Sequence, residues 1–296
     1  MHDPWHVFQV RVRRVDRLSP AFLRVTFTGD DLEHFADPGY DQRIKLVLPI
    51  PEYGTLLFPD GPDWYERYCA LPADRKNPFR TYTVRAVRPE KAEVDVDVIM
   101  HADDGHLGPA AAWATTVQED DRCALWGPDS RHGGPYGGLE FKLPAGGGNL
   151  LLAGDETAVP AIMRILEQLP ADVTGEALME VPSGADVLKE TAPAGMRVTW
   201  LPRDGAEHGS RLVGEVEAAA ARLIPPAAPT QVEDVDIDED ILWEIPETPP
   251  AACSVWLAGE AGVVKTLRRH LVGERGLDRK AVAFMGYWRR GKAESI

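Results

Sequence analysis

"RTYTVRAV", residues 80–87, decides how the first half of the chain is read. On a regular strand, successive side chains alternate between faces, so Arg80 and Tyr82 project from one side while Thr81 and Thr83 point from the other. The plain reading is a solvent-facing strand. The chemical reading is a guanidinium beside an aromatic plane, a pair suited to a bidentate phosphate contact and to ring stacking. The same texture continues outward. "FLRVTFTG", "QRIKLVLP", "AEVDVDVIM" and "DRCALWGP" are alternating runs separated by Pro and Gly turns, and the N-terminal Val10 and Val12 alternate with Arg11 and Arg13. Residues 1–145 are therefore expected to form an antiparallel barrel or sandwich.

From Asn149 the pattern changes to apolar strands followed by helical segments, as in "NLLLAGDETAVPAIMRILEQL" and "CSVWLAGEAGVVKTLRRHLVGERGL". Strand and helix in repetition predict a parallel α/β domain over residues 146–296, with the boundary at Gly146–Gly148. A Pro-rich insert at about residues 225–252 carries eight acids between Glu233 and Glu247. It is read as a solvated loop, with a docking surface as the alternative.

The 296 residues suit two domains, and the net charge of -15 argues against nucleic acid or an anionic membrane as the main partner. No stretch approaches the roughly 20 apolar residues that span a bilayer, and the N-terminus lacks a signal-peptide core. A cytoplasmic protein without stable membrane insertion is expected. Cys69, Cys123 and Cys253 have no paired spacing, so no disulfide framework or protein-bound metal is expected, and redox chemistry needs an organic cofactor.

In "AEVDVDVIMHADDGHLGPAAAWA", Val94, Val96, Val98 and Met100 form one apolar face and His101 closes the strand. "GPAAAWA" then reads as a helix start: Gly108 allows close backbone approach, Pro109 suits the first turn, and alanines propagate it. Unpaired N–H groups at such a start attract anions, so Arg80 and this terminus can grip one diphosphate from two sides. A flavin dinucleotide offers both the diphosphate and the ring.

Taken in order, "RTYTVR", "DVDVIMH", "GPAAAWA", "WGP", "AGDETAVPAI", "WLAGEAG" and "GYWRRG" resemble the siderophore-interacting proteins, FAD-containing ferric-siderophore reductases of the ferredoxin-reductase-like superfamily. The resemblance spans nearly the whole chain. It implies a six-stranded antiparallel FAD-binding β-barrel followed by a parallel-sheet α/β nucleotide-binding domain. It further implies that Arg80 neutralises the FAD diphosphate, Tyr82 stacks on the isoalloxazine, Thr83 bonds near N5, and Gly108, Pro109 and Ala110 line the diphosphate. His101 and Trp113 lie close to the cofactor in that pattern; strand closure and core packing are their plainer roles. Tyr82 and Thr83 are the catalytic candidates.

"NLLLAGDETAVPAI" reads as a buried strand, a turn and a helix with Thr157 as its N-cap, and a nucleotide is expected at the carboxyl ends of such strands. Asp155, Thr157 and Ala158 are the candidate cofactor contacts there. No GxGxxG occurs, and Asp155 and Glu156 repel a neighbouring phosphate, so NADH, NADPH and a ferredoxin all stand open as donor. Ser183 and Arg203 occupy strand ends where a ribose or 2′-phosphate is read, exposed polar side chains being the plainer account.

From Lys265 onward nine Lys and Arg face three acids, a local excess that suggests an anionic ligand. By the family pattern Lys45, Arg131 and Arg289 form a basic rim for a ferric siderophore. The function expected is FAD-dependent reduction of that siderophore, releasing Fe(II), with electrons from NADH or NADPH. The rivals are a flavin reductase exchanging electrons with a protein such as ferredoxin, and a carrier without activity.

Overall fold

β-Branched and aromatic residues at every second position build the first part of the computed structural model into strands. These are β1 (Trp5–Arg17), β2 (Phe22–Thr28), β3 (Arg43–Val47), β4 (Phe79–Arg88), β5 (Glu93–Ile99), the short β6 (Ala102–Asp103) and β7 (His106–Leu107), and β8 (Arg122–Pro128). Six of them close a barrel in the order β1-β2-β5-β4-β3-β8, every neighbour antiparallel. The alternation read from the sequence fills its interior: Phe8, Val10 and Val12, then Val25 and Phe27, then Val94, Val96 and Val98 share one buried cluster. Each such side chain contributes about 1.5–3 kcal/mol on burial.

The other face of β5 is also buried, and it is charged. Asp95 accepts two bonds from the Arg88 guanidinium and one from Thr26, while Asp97 accepts two from Arg24. A bulge in β4 between Val84 and Ala86 inserts Arg85, whose Nε lies 3.7 Å from Asp97. An extra residue at this point bends the strand just beyond Thr83. Helix α1 (Trp64–Ala70) packs Trp64 and Tyr68 with Phe58 and Phe79 in a separate aromatic cluster. Helix α2 (Pro109–Ala114) packs against β4 and β5.

The second part alternates as expected through β9 (Asn149–Gly154), α3 (Val159–Gln168), β10 (Gly175–Val181), β11 (Met196–Pro202), α4 (Leu212–Leu223), β12 (Trp243–Glu244), β13 (Cys253–Glu260), α5 (Ala261–Arg268) and β14 (Val282–Trp288). The sheet order is β11-β10-β9-β13-β14-β12, parallel except for the antiparallel edge strand β12. The chain leaves β9 to one side and later returns to its other side as β13, so the switch in strand order lies between β9 and β13. Helices α4 and α5 share an apolar core with Leu151, Val255, Leu257 and Phe284, and α3 contacts β9 and β10.

The structure describes residues 2–100, 102–103, 106–144, 148–225, 227–230, 235–237, 242–246 and 253–291. The chain divides into the units Met1–Leu139 and Glu140–Ile296, and of the expected boundary Gly146–Gly148 the first two residues lie outside the described residues. Within the acidic insert, the described residues 242–244 pack against the fold. Leu242 is buried, Trp243 stacks on Tyr287 at 5.8 Å, and Glu244 accepts from both Arg268 and Arg279. Part of the basic surplus after Lys265 is thus balanced within the fold. All three cysteines are free thiols. Among the described residues no helix is long and apolar enough to cross a membrane.

Candidate functional site

In the first unit, β4 carries three of the predicted residues. Arg80, Tyr82 and Thr83 stand opposite Leu46, Ile44 and Arg43 of β3. Tyr82 is half-buried against the barrel core, Thr81 is exposed, and Thr83 is 7% exposed. Arg80 Nη1 donates to the Phe79 carbonyl at 2.7 Å.

Gly108, Pro109 and Ala110 form the start of α2, as read from "GPAAAWA". Gly108 is exposed, a Cβ added to it meets nothing within 4 Å, and no side chain caps this helix start among the described residues. The first N–H groups of a helix have no intrahelical acceptor, so this terminus offers unpaired donors. These features fit a diphosphate. Trp113, by contrast, lies nearly parallel to Phe27 at 6.4 Å, against the barrel core. His101 lies outside the described residues.

The basic-rim candidates each have partners of their own. Lys45 donates to Thr81 at 3.2 Å and sits 4.9 Å from the centre of the Phe79 ring. Arg131 makes a two-pronged contact with Asp129, while Arg289 donates to the Ile237 carbonyl at 2.8 Å. Lys45 and Arg131 belong to the first unit and Arg289 to the second.

At the carboxyl end of the parallel sheet, the residues after β9 turn inward. Asp155 is 1% exposed and Ala158 is fully buried. Thr157 does not cap α3: Ala158 takes the cap position, and the Thr157 N–H and hydroxyl both bond Asp155 Oδ1. Asp155 Oδ2 accepts from the Glu260 N–H at 2.7 Å and the Trp288 indole at 2.9 Å. His208 Nε2 lies 3.3 Å from the same oxygen and 3.8 Å from Glu156, but without the alignment of a hydrogen bond. Burial opposes charge on His208, yet the Asp155 carboxylate outweighs it and raises the imidazole above its ordinary 6.5. Burial likewise opposes charge on Asp155, and His208 with the surrounding donors holds the carboxyl below its usual value.

Arg203, at the end of β11, is engaged within the fold. Its guanidinium bonds both oxygens of Glu156 and reaches Glu180, and Ser183 donates to Asp186. Sequence reasoning passed over His208, Glu180, Glu260 and Trp288. The available signals were an acid inside the apolar strand "ALMEV" and another directly after "WLAG".

Residues 11–132 match the family described as the siderophore-interacting FAD-binding domain, and residues 148–291 match that described as siderophore-interacting protein. The chain is 31% identical to the ferric vibriobactin reductase ViuB of Vibrio cholerae serotype O1, covering 94% of this chain and 87% of that one. It is 27% identical to the NADPH-dependent ferric-chelate reductase of Escherichia coli strain K12, covering 95% and 92%. A solved siderophore utilization protein from T. fusca matches with a TM-score of 0.72 at 28% identity, over 100% of this chain and 97% of the other.

Proposed function

The chain belongs to the siderophore-interacting protein family, and from that premise we propose that it is a cytoplasmic FAD-dependent ferric-siderophore reductase, drawing electrons from NADH or NADPH and releasing iron as Fe(II). The observation that carries this reading is the uncapped start of α2, open at Gly108 and packed against the strand of Arg80, Tyr82 and Thr83. When bound, FAD supplies the conversion of a two-electron donor into the single-electron steps that iron requires.

Arg80 holds the diphosphate by charge-assisted bonds, and the Ala110 and Ala111 N–H groups complete its seat. Pro109 has no N–H to lose at this terminus and its fixed φ favours the helix start. Tyr82 would flank the tricyclic ring, with Thr83 beside it just before the bulge at Arg85. Asp95 and Asp97 lock β5 to its neighbours from behind through Arg88 and Arg24, which keeps the strand bearing Arg80 in place.

The ferric chelate is substrate, and no residue of the protein need bind its iron. Hard oxygen chelators hold Fe(III) far better than Fe(II), so one electron loosens the metal with the chelator intact. Lys45 and Arg131 draw an anionic chelate toward the barrel, and Arg289 adds positive charge on the second unit.

The test is an anaerobic mixture of FAD-loaded protein, NADH, NADPH or reduced ferredoxin, and several ferric siderophores, followed by flavin absorbance and a ferrous trap. Fe(II) formed faster than by free FAD alone supports the reading. A flavin that is reduced and then not reoxidised by any chelate rejects it.

A further inference from the structure

Three helices begin at the carboxyl end of the parallel sheet, where a dinucleotide phosphate is ordinarily received by unpaired backbone N–H groups. Here the starts of α4 and α5 each already hold one of the chain's own carboxylates, and the turn leading into α3 holds a third. Before α3, Asp155 accepts from Thr157. Before α4, Glu180 accepts from the N–H groups of Gly209, Arg211 and Leu212 at 2.7, 3.0 and 2.8 Å. At α5, Glu260 accepts from Val263 at 2.9 Å, and its own N–H is taken by Asp155.

Two of the cations nearby are engaged as well. Arg203 lies between Glu156 and Glu180, with side chains 12%, 3% and 0% exposed, and His208 faces Asp155 and Glu156. An open pocket of about 500 Å³ beside the starts of α4 and α5 is lined by Glu207, Glu217, Glu260 and His208 and, among the described residues, by no Lys or Arg. The contrast with α2, whose start is uncapped, lies within one chain.

Building on the proposed reductase activity, we propose that Glu180 and Glu260 are specificity-determining residues that close the second domain to the diphosphate of a nicotinamide dinucleotide. A phosphate entering at α5 must displace the Glu260 carboxylate, which already satisfies the same donor, and then sit beside Glu207 and Glu217. The electron donor is therefore not selected by its diphosphate. A reduced nicotinamide mononucleotide, which lacks the adenylate half, serves as well as the dinucleotide.

The test uses ADP-ribose, which carries the diphosphate but no nicotinamide, titrated calorimetrically into the FAD-loaded full chain. No saturable heat is expected up to about 1 mM, since helix termini already satisfied by carboxylates offer little to an anion. Glu260→Ala frees the Val263 N–H in the first turn of α5 and removes a charge, and a gain in affinity of about tenfold or more is expected. If Glu260→Ala does not fold, Glu260→Gln keeps the size, removes only the charge, and is expected to gain about threefold. Wild-type binding of ADP-ribose tighter than about 0.1 mM, near −5.5 kcal/mol, overturns the proposal, as does a variant with no gain. Reoxidation of the prereduced protein by ferric siderophore, measured on the same preparation, reports on the reductase reading separately. Its failure leaves the ADP-ribose result interpretable.

Discussion

The Trp288 indole donates to Asp155 Oδ2 at 2.9 Å, joining the end of β14 to the turn after β9 across the intervening strand β13. Asp155 is thereby the meeting point of three strand ends, since the same oxygen accepts from Glu260 at the end of β13. Trp288→Phe keeps the ring volume approximately and removes the donor. A buried carboxylate deprived of a partner costs about 1–3 kcal/mol, so the urea midpoint of the second domain, followed by circular dichroism, falls accordingly. A midpoint equal to wild type shows that the indole N–H contributes nothing there.

The same network makes stability depend on pH. The folded-state value of His208 is raised above 6.5, so its stabilisation is complete below the unfolded value and is lost as pH rises through the folded one. The folded value of Asp155 is lowered below 3.8, so its contribution is present above the unfolded value and is lost as pH falls through the folded one. Thermal melts of wild type and His208→Gln are expected to differ most below the ordinary imidazole value of 6.5 and to converge as pH rises past the raised folded-state value. Divergence as pH rises means that His208 is buried neutral.

How much of this was legible beforehand follows from the range of each interaction. The alternation of Val10 with Val12, and of Val94 with Val96 and Val98, carries a strand period that survives into the barrel interior. The barrel order β1-β2-β5-β4-β3-β8 does not follow from period alone, because strand partners are chosen by three-dimensional closure. The bulge at Arg85 is invisible for a related reason: one inserted residue leaves composition unchanged and only shifts the phase. "GPAAAWA" announced its helix start through local chemistry. Glu180 announced nothing, because its three donors come from residues about thirty positions later. The basic stretch after Lys265 was read as surplus because its partner Glu244 sits in the insert, 24 and 35 positions from Arg268 and Arg279.

That partnership is itself testable. Glu244 accepts from Arg268 at 2.8 Å and Arg279 at 2.6 Å, and the Arg268 side chain is 4% exposed. Glu244→Ala leaves a buried guanidinium short of its counter-charge, a change that costs about 3 kcal/mol in such settings. Arg279→Ala removes the more exposed cation and is expected to cost about 1 kcal/mol or less. Equal losses in denaturant melts mean that burial of Arg268 is not what makes the bridge matter.

Arg80→Ala tests the flavin seat without dismantling the barrel, since the Arg80 side chain is not part of the apolar interior. Charge-assisted bonds to a phosphate are worth about 1.5–3 kcal/mol, so FAD affinity, read from flavin fluorescence on titration, drops roughly tenfold to a hundredfold. The apoprotein melt is expected to stay within about 0.5 kcal/mol of wild type, as for other half-exposed positions. Undiminished FAD affinity moves the diphosphate away from β4.

Gly154, the last residue of β9, tests whether the turn that orients Asp155 depends on close backbone approach. A Cβ placed there lies 2.4 Å from the Ala158 Cβ and 2.5 Å from the Ala258 carbonyl oxygen. Neither atom belongs to a flexible side chain, so relief requires the start of α3 or the end of β13 to move. Overpacking in rigid surroundings costs about 1–3 kcal/mol, and Gly154→Ala is expected at the upper end of that range. Where the displacement carries the Asp155 carboxylate away from His208 it weakens their attraction, so the pH at which His208 loses its stabilising effect falls toward its ordinary value. Gly184→Ala is the control, because a Cβ there meets nothing within 4 Å. A Gly154→Ala protein as stable as that control, with an unaltered pH profile, shows that the turn tolerates a methyl group and that Asp155 is oriented by its hydrogen bonds alone.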